Sequence, residues 1–181
     1  MLAGLDVREL ARPLLARLVA DTGETATLSL PGNSEAVTVD FIPSASSVVS
    51  LTRLGRSSVG HATAAGKVVL AFSTNAPGAA DERPLAAYTT RTITDRDVLA
   101  AQLRAIREKG VAEAVGEREP DLAALAAPVL GRRGELIAIL GLQGPATRLP
   151  AATRKALRAP LLAAAAELGR ALGATTVGRD G

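Results

Sequence analysis

Apolar residues recur four apart at Leu10, Leu14 and Leu18, which predicts an amphipathic helix over residues 6–20. Asp6 with Glu9 three positions later is a capping-box pattern, Thr22-Gly23 stops the helix, and Pro13 is expected to kink or restart it near Arg12. Residues 25–30 then alternate as a strand, Pro31-Gly32-Asn33-Ser34 turns the chain, and 36–42 returns as its hairpin partner. A third strand is expected over 47–54, with Ser47, Ser50 and Thr52 among its apolar residues; those hydroxyls face either solvent or a polar pocket. Residues 55–60 read as a loop into a second helix that carries Val68, Val69, Leu70 and Phe72.

Pro77-Gly78 and Pro84 break any element between 73 and 94. Thr94 with Asp97 predicts the cap of a third helix, whose apolar face is Val98, Leu99, Leu103 and Ile106, and Gly110 ends it. Strands are expected at about 111–117, 122–130 and 135–143, with Arg132-Arg133-Gly134 turning between the last two. A final helix over 151–173 buries Leu157, Leu161, Leu168 and Leu172, bends at Pro160, and leaves a disordered tail. Helix, three strands, two helices, three strands, helix is an α+β order with antiparallel pairing, in one domain.

Two local patterns suggest a ligand. The glycine turn Gly60-His61-Ala62-Thr63-Ala64-Ala65-Gly66-Lys67 enters the second helix through small residues, which leaves its first backbone N–H groups reachable by an anion. It is not a P-loop: five residues separate Gly60 from Gly66, and Val68 stands where a magnesium-binding hydroxyl is needed. Period-two counting on the last three strands puts Ala112, Ala114 and Gly116 opposite Val111 and Val115. It puts Ala124 and Ala126 opposite Leu125 and Val129, and Gly141 and Gln143 opposite Leu140 and Leu142. If the small faces align, the space above them holds a packed helix, a partner subunit or a small ligand.

Composition narrows the choice of function. Nearly half the residues are apolar, but only two Phe and one Tyr occur, too few for a base-stacking platform. The net charge is +3, and Arg8, Arg12, Arg17, Arg53, Arg56, Arg104 and Arg107 are scattered, as on solvated faces. With no cysteine and one histidine there is no disulfide framework, thiolate nucleophile or metal centre to expect, and no cofactor is implied. No apolar run is long enough to span a membrane, and Asp6, Arg8 and Glu9 interrupt any leader pattern, so a cytoplasmic chain is expected.

The run from Gly60 to Ala71 resembles the signature of the effector-binding domain of IclR-type bacterial transcriptional regulators. Further matches follow in register: Tyr88-Thr89 with Arg91-Thr92-Ile93-Thr94, Ile106 to Ala112, Glu117, Ala126-Ala127-Pro128-Val129 and Gly144 to Arg148. The resemblance implies a GAF-like (profilin-like) antiparallel sheet flanked by helices over residues 6–173, with 1–5 a remnant of a linker and 174–181 a flexible tail. It implies an effector pocket that uses Ser47, Ser50, Ser58, Ala64, Ala65, Ala114, Ala124, Gly141 and Gln143, with the Ala64 and Ala65 amides holding a carboxylate. The implied partners are a small organic acid, a second copy in a dimer or dimer of dimers, and DNA through a winged helix-turn-helix domain absent from this chain. Some relatives carry an acid in place of Ala114, a cysteine in place of Ala124 and a serine in place of Gly141, so this pocket is expected to be roomier and more apolar.

Catalysis is not expected. His61 reads as a hydrogen-bonded structural residue, no G-x-S-x-G elbow accompanies Ser57 or Ser58, and Glu117 and Glu119 read as adjacent exposed carboxylates. The rival to a sensor is a dimerisation module whose pocket has collapsed.

Overall fold

The computed structural model describes residues 2–45, 54–74 and 83–177. The elements are α1 (Leu2–Thr22), β1 (Thr25–Pro31), β2 (Ala36–Ile42), β3 (Ser57–Ser58), α2 (Ala64–Phe72), α3 (Arg96–Lys109), β4 (Ala112–Val115), β5 (Leu122–Leu130), β6 (Leu136–Pro145) and α4 (Ala151–Val177). The strands form an antiparallel sheet in the order β3-β2-β1-β6-β5-β4, so the class is α+β as the pattern requires.

Helices cover both faces of the sheet. One core joins Leu14, Leu15 and Leu18 of α1 and Leu161 and Leu168 of α4 to Leu28, Leu125, Leu140 and Leu142. Each such leucine stabilises the fold by about 1.5–3 kcal/mol. The other core sets Val68 and Val69 of α2, with Ile106 of α3, on Ala112, Ala114, Ala126 and Ile139. The alternation therefore sorts the faces as expected: bulky residues face α1 and α4, small ones face α2.

Several boundaries differ from the pattern. Helix α1 begins at Leu2, so Asp6 lies inside it rather than at a cap, and it runs unbroken through Pro13. Pro13 is on the exposed side, where water can serve the carbonyl that its missing N–H leaves unpaired. Asp95, not Thr94, caps α3: its carboxylate accepts from the N–H groups of Asp97 and Val98 at 2.8 and 3.2 Å. That helix docks through a narrow stripe of Leu99, Leu103 and Ile106, so Val98, about 100° away from Leu99, stays 49% exposed. Helix α4 continues through Pro160 to Val177, four residues past the expected end. Only Leu54 of the strand expected over 47–54 is among the described residues, and it lies in a turn. The short strand β3 sits instead in the expected loop, with Ser57 and Ser58 paired to Val37 and Ala36.

A bulge between Leu28 and Ser29 in the β1–β2 pairing changes which way β2 faces. Ala36 packs in the core under α2, whereas Asp40 reaches Arg12 of α1 at 2.7 Å. Thr38 therefore stays with Ser29, their hydroxyls 3.5 Å apart and buried on the α2 side.

Edge strand β4 is tied to α4 by Glu113, which accepts from Arg154 Nε at 3.0 Å and Arg158 Nε at 2.8 Å. Burial alone would raise this carboxyl, but the hydrogen bonds and charges of the two guanidinium groups outweigh it and hold the pKa below the usual 4.5. A lowered folded pKa means that unfolding takes up a proton between that value and 4.5. The stability this group contributes is complete above 4.5 and is lost as pH falls through the folded value. In urea titrations the advantage of wild type over Glu113→Gln should thus be constant near neutrality and shrink below pH 4.5; a constant gap would refute the linkage.

Candidate functional site

Between the start of α2 and the small face of the sheet lies a cavity of about 80 Å³, room for about three water molecules. The strand register explains its floor. Ala114, Ala124, Gln143 and Thr25 form one cross-strand row, and Ala112, Ala126, Gly141 and Thr27 form the next. A Cβ on Gly141 would lie 2.5 Å from Thr27 Oγ1, so the threonine hydroxyl already uses the space that a side chain at 141 would need.

The roof is the entry to α2. Thr63 is its N-cap: its Oγ1 accepts from Gly66 N–H at 3.0 Å and donates to the Val59 carbonyl at 2.8 Å. The first helical bond is Lys67 N–H to Thr63 O, which leaves the amides of Ala64 and Ala65 ahead of the ladder. Gly66 is fixed by packing: a Cβ there would meet the Val59 carbonyl oxygen at 2.2 Å. Only glycine lets the preceding chain cross the helix so closely, and that crossing sets Ser57 and Ser58 at the cavity.

Charged side chains close the remaining wall. Lys67 turns away from the cavity and is fully buried; its Nζ donates to Glu117 at 2.7 and 2.9 Å, to Gln102 Oε1 at 2.9 Å and to the Glu113 carbonyl at 3.1 Å. Burial lowers the pKa of this ammonium, and Glu117 opposes the fall. All three ammonium protons are committed, so the Gly-Lys pair is not a phosphate clamp. Glu119 pairs with Arg56. Arg118 lies 3.9 Å over the ring of Tyr88 and has no carboxylate partner among the described residues.

The expectation of exposed carboxylates is thus corrected: Glu117 is 9% exposed and Glu119 half-buried. The chain turns back between them and β5, with Gly116 at φ +65° and its N–H on Leu122 O, which folds both side chains inward toward cations from distant segments. The segment 83–94 braces this turn. Thr89 Oγ1 donates to Gly116 O at 2.5 Å and Thr92 Oγ1 to Glu117 O at 2.6 Å. Nearby, His61 Nε2 donates to Ala86 O at 2.7 Å, the structural hydrogen bond expected of it. Arg8, Arg12, Arg17, Arg104 and Arg107 are exposed, as expected of solvated faces, although Arg12 and Arg107 also bond Asp40 and the Ala71 carbonyl; Arg56 is half-buried and pairs with Glu119.

Of the expected pocket residues, the structure brings Ser58, Ala64, Ala65, Ala114, Ala124, Gly141 and Gln143 around one cavity. Ser47 and Ser50 lie outside the described residues. Sequence reasoning missed Thr27, Ser29, Thr38, Arg56 and Arg118 in the lining. Thr27 and Ser29 alternate visibly with Ala26 and Leu28, but alternation marks a strand without telling what lies over its polar face. No signal in the sequence pairs Arg56 with Glu119, 63 positions apart.

The domain thus has a closed apolar core on one sheet face and a polar-rimmed cavity on the other, beside the start of α2. Among the described residues no group of three or more His, Cys, Asp or Glu side chains could hold a metal ion, and no helix is long and apolar enough to cross a membrane. The family model for the bacterial transcriptional regulator IclR C-terminal domain matches residues 1–170, and the chain belongs to that family. The HTH-type transcriptional regulator XynR of Escherichia coli is 30% identical over 175 residues, covering 96% of this chain and 69% of that protein. BhcR of Paracoccus denitrificans is 32% identical over 162 residues, covering 88% of this chain and 58% of that protein. The chain therefore spans roughly three fifths to two thirds of these regulators. The crystal structure of Thermotoga maritima IclR superposes with a TM-score of 0.85 at 28% identity, covering 92% of this chain and 68% of that one. An IclR homologue from Microbacterium hydrocarbonoxydans in complex with 4-hydroxybenzoate shares the fold, with a TM-score of 0.83, 24% identity and coverage of 96% and 70%.

Proposed function

We propose that this domain senses a small organic acid and passes the signal to a DNA-binding domain joined on the N-terminal side of α1. The observation that carries the reading is the cavity, where unpaired helix amides meet a floor trimmed to alanine and glycine. The carboxylate would sit at the Ala64 and Ala65 N–H groups. Ser58 and Gln143 would orient the remainder, with Ser47 and Ser50 proposed beside them, while Ala114, Ala124 and Gly141 set its size. Charge supports an anion: Lys67 balances Glu117 and Arg56 balances Glu119, which leaves the Arg118 guanidinium in surplus.

The domain is proposed to act as a homodimer or a dimer of dimers. An acid that binds one arrangement better than another shifts their populations, and with them the placement of the attached DNA-binding domains. No chemical step is invoked.

A thermal-shift series of carboxylic acids tests the reading. An acid at 100 times its Kd should raise the melting temperature by ~5–10 °C, from about 2.7 kcal/mol of linked stability at 2–4 °C per kcal/mol. Ala124→Leu, which fills the floor, should fold yet lose the response. If no acid shifts the transition, the domain is a structural module and the sensor reading is wrong.

A further inference from the structure

Arg118 stands between two acids in the sequence and pairs with neither, because Glu117 turns to Lys67 and Glu119 to Arg56. Its guanidinium lies instead 3.9 Å from the centroid of the Tyr88 ring, and its N–H groups have no hydrogen-bond acceptor among the described residues. A ring face attracts the charge but offers the fork of donors no oxygen lone pair. The side chain is half-buried and lines the cavity, so a cation with unspent donors stands in the wall.

That cation is also held in place. The turn that carries it is tied to the segment that carries Tyr88: Thr89 Oγ1 donates to Gly116 O at 2.5 Å and Thr92 Oγ1 to Glu117 O at 2.6 Å. Thr92 Oγ1 in turn accepts from the Tyr88 N–H at 2.9 Å. On the side of the α2 entry, the His61 ring centroid is 5.8 Å from that of Tyr88. A guanidinium stacked and braced in this way loses little freedom when it takes an anion. Its place differs from that of the α2 amides. Ala64 packs over Ala112, Ala114 and Ala126 of the floor, whereas Arg118 follows the turn at Gly116, where the chain has left β4.

We infer that the effector carries two acidic groups and that Arg118 takes the second of them in a forked guanidinium–carboxylate pair. The inference rests on the effector reading and narrows it to dicarboxylic acids. One carboxylate sits at the Ala64 and Ala65 amides over the floor, and the other reaches the guanidinium at the end wall. Tyr88 is a positioning residue that keeps the guanidinium there. A monocarboxylic acid fills one pole and leaves the other to water.

The test measures Kd on the intact domain for diacids against monoamides of the same size: succinate against succinamate, glutarate against glutaramate, and terephthalate against 4-carbamoylbenzoate. In at least one pair the diacid should bind about tenfold tighter or more, as expected for hydrogen bonds between charged groups. The preference should shrink as salt is raised, because the guanidinium is only half-buried. Arg118→Gln should bring the two members within about threefold of each other. Tyr88→Leu should lower the preference in part, and Tyr88→Phe, which keeps the ring, should restore it. Melting curves without ligand verify that the variants fold; if Arg118→Gln does not, Arg118→Lys, which keeps the charge without the fork, should lower the preference in its place. Equal or inverted binding within every pair overturns the second acidic group and leaves the effector reading standing. A diacid preference that survives the change at Arg118 overturns the assignment to that residue. Binding by none of the acids overturns both readings.

Discussion

Lys67→Ala is expected to destabilise the domain by about 3–5 kcal/mol, the cost of leaving one member of a buried ion pair without the other. The ammonium is sealed on every side, and its removal strands Glu117, 9% exposed, beside an unserved Glu113 carbonyl. A loss of that size is a large share of the 5–15 kcal/mol typical of a whole domain. The double variant Lys67→Met with Glu117→Leu should recover most of it, because matched apolar groups carry no desolvation penalty. Chemical denaturation measures both, and a single-variant loss below about 1 kcal/mol would refute the pairing. The pH dependence has a definite sign. Since burial holds the Lys67 pKa below its usual 10.5, the unfolded chain binds the extra proton between the two values, and stability rises with pH in that window. Wild type should show this rise and Lys67→Met should not.

Gly66→Ala is expected to cost ~3 kcal/mol, or a melting temperature ~6–12 °C lower, even though alanine is the better helix former by about 1 kcal/mol. The added Cβ would stand 2.2 Å from the Val59 oxygen, 2.6 Å from the Val59 carbon and 2.7 Å from Gly60 Cα. All three are backbone atoms, so no rotamer change relieves the clash; the chain at 59–60 must lift off α2. Because that chain carries Ser57 and Ser58 into the cavity wall, the response to ligand should fall together with stability. Gly134→Ala is the control. Its φ of +78° gives a strain of about 1–2 kcal/mol, but nothing lies within 4 Å and the cavity is distant, so the ligand response should survive.

Much of the fold could be read along the chain because it is encoded by short-range periodicity. The alternation in residues 111–143 separated a bulky face from a small one, and the sheet register then laid Ala114, Ala124 and Gln143 in one row. The stop at Gly110 and the cap-rich entry to α3 are likewise local, and the one-residue error there arose because Asp95 reaches two amides that Thr94 cannot. Both α1 and α4 continue as helices through Pro13 and Pro160, since packing on the sheet outweighs one missing hydrogen bond in each.

The amino-acid order by itself determined the class of fold, the two unlike faces of the sheet and the small residues that leave room over one of them. Only the tertiary structure decided what surrounds that room. The bulge that keeps Thr38 with Ser29, the burial of Lys67 against Glu117 and the meeting of Arg56 with Glu119 join residues 9, 50 and 63 positions apart. Such pairings depend on chain crossings that no periodicity encodes, because charge and hydroxyl groups look the same in sequence whether they face water or each other.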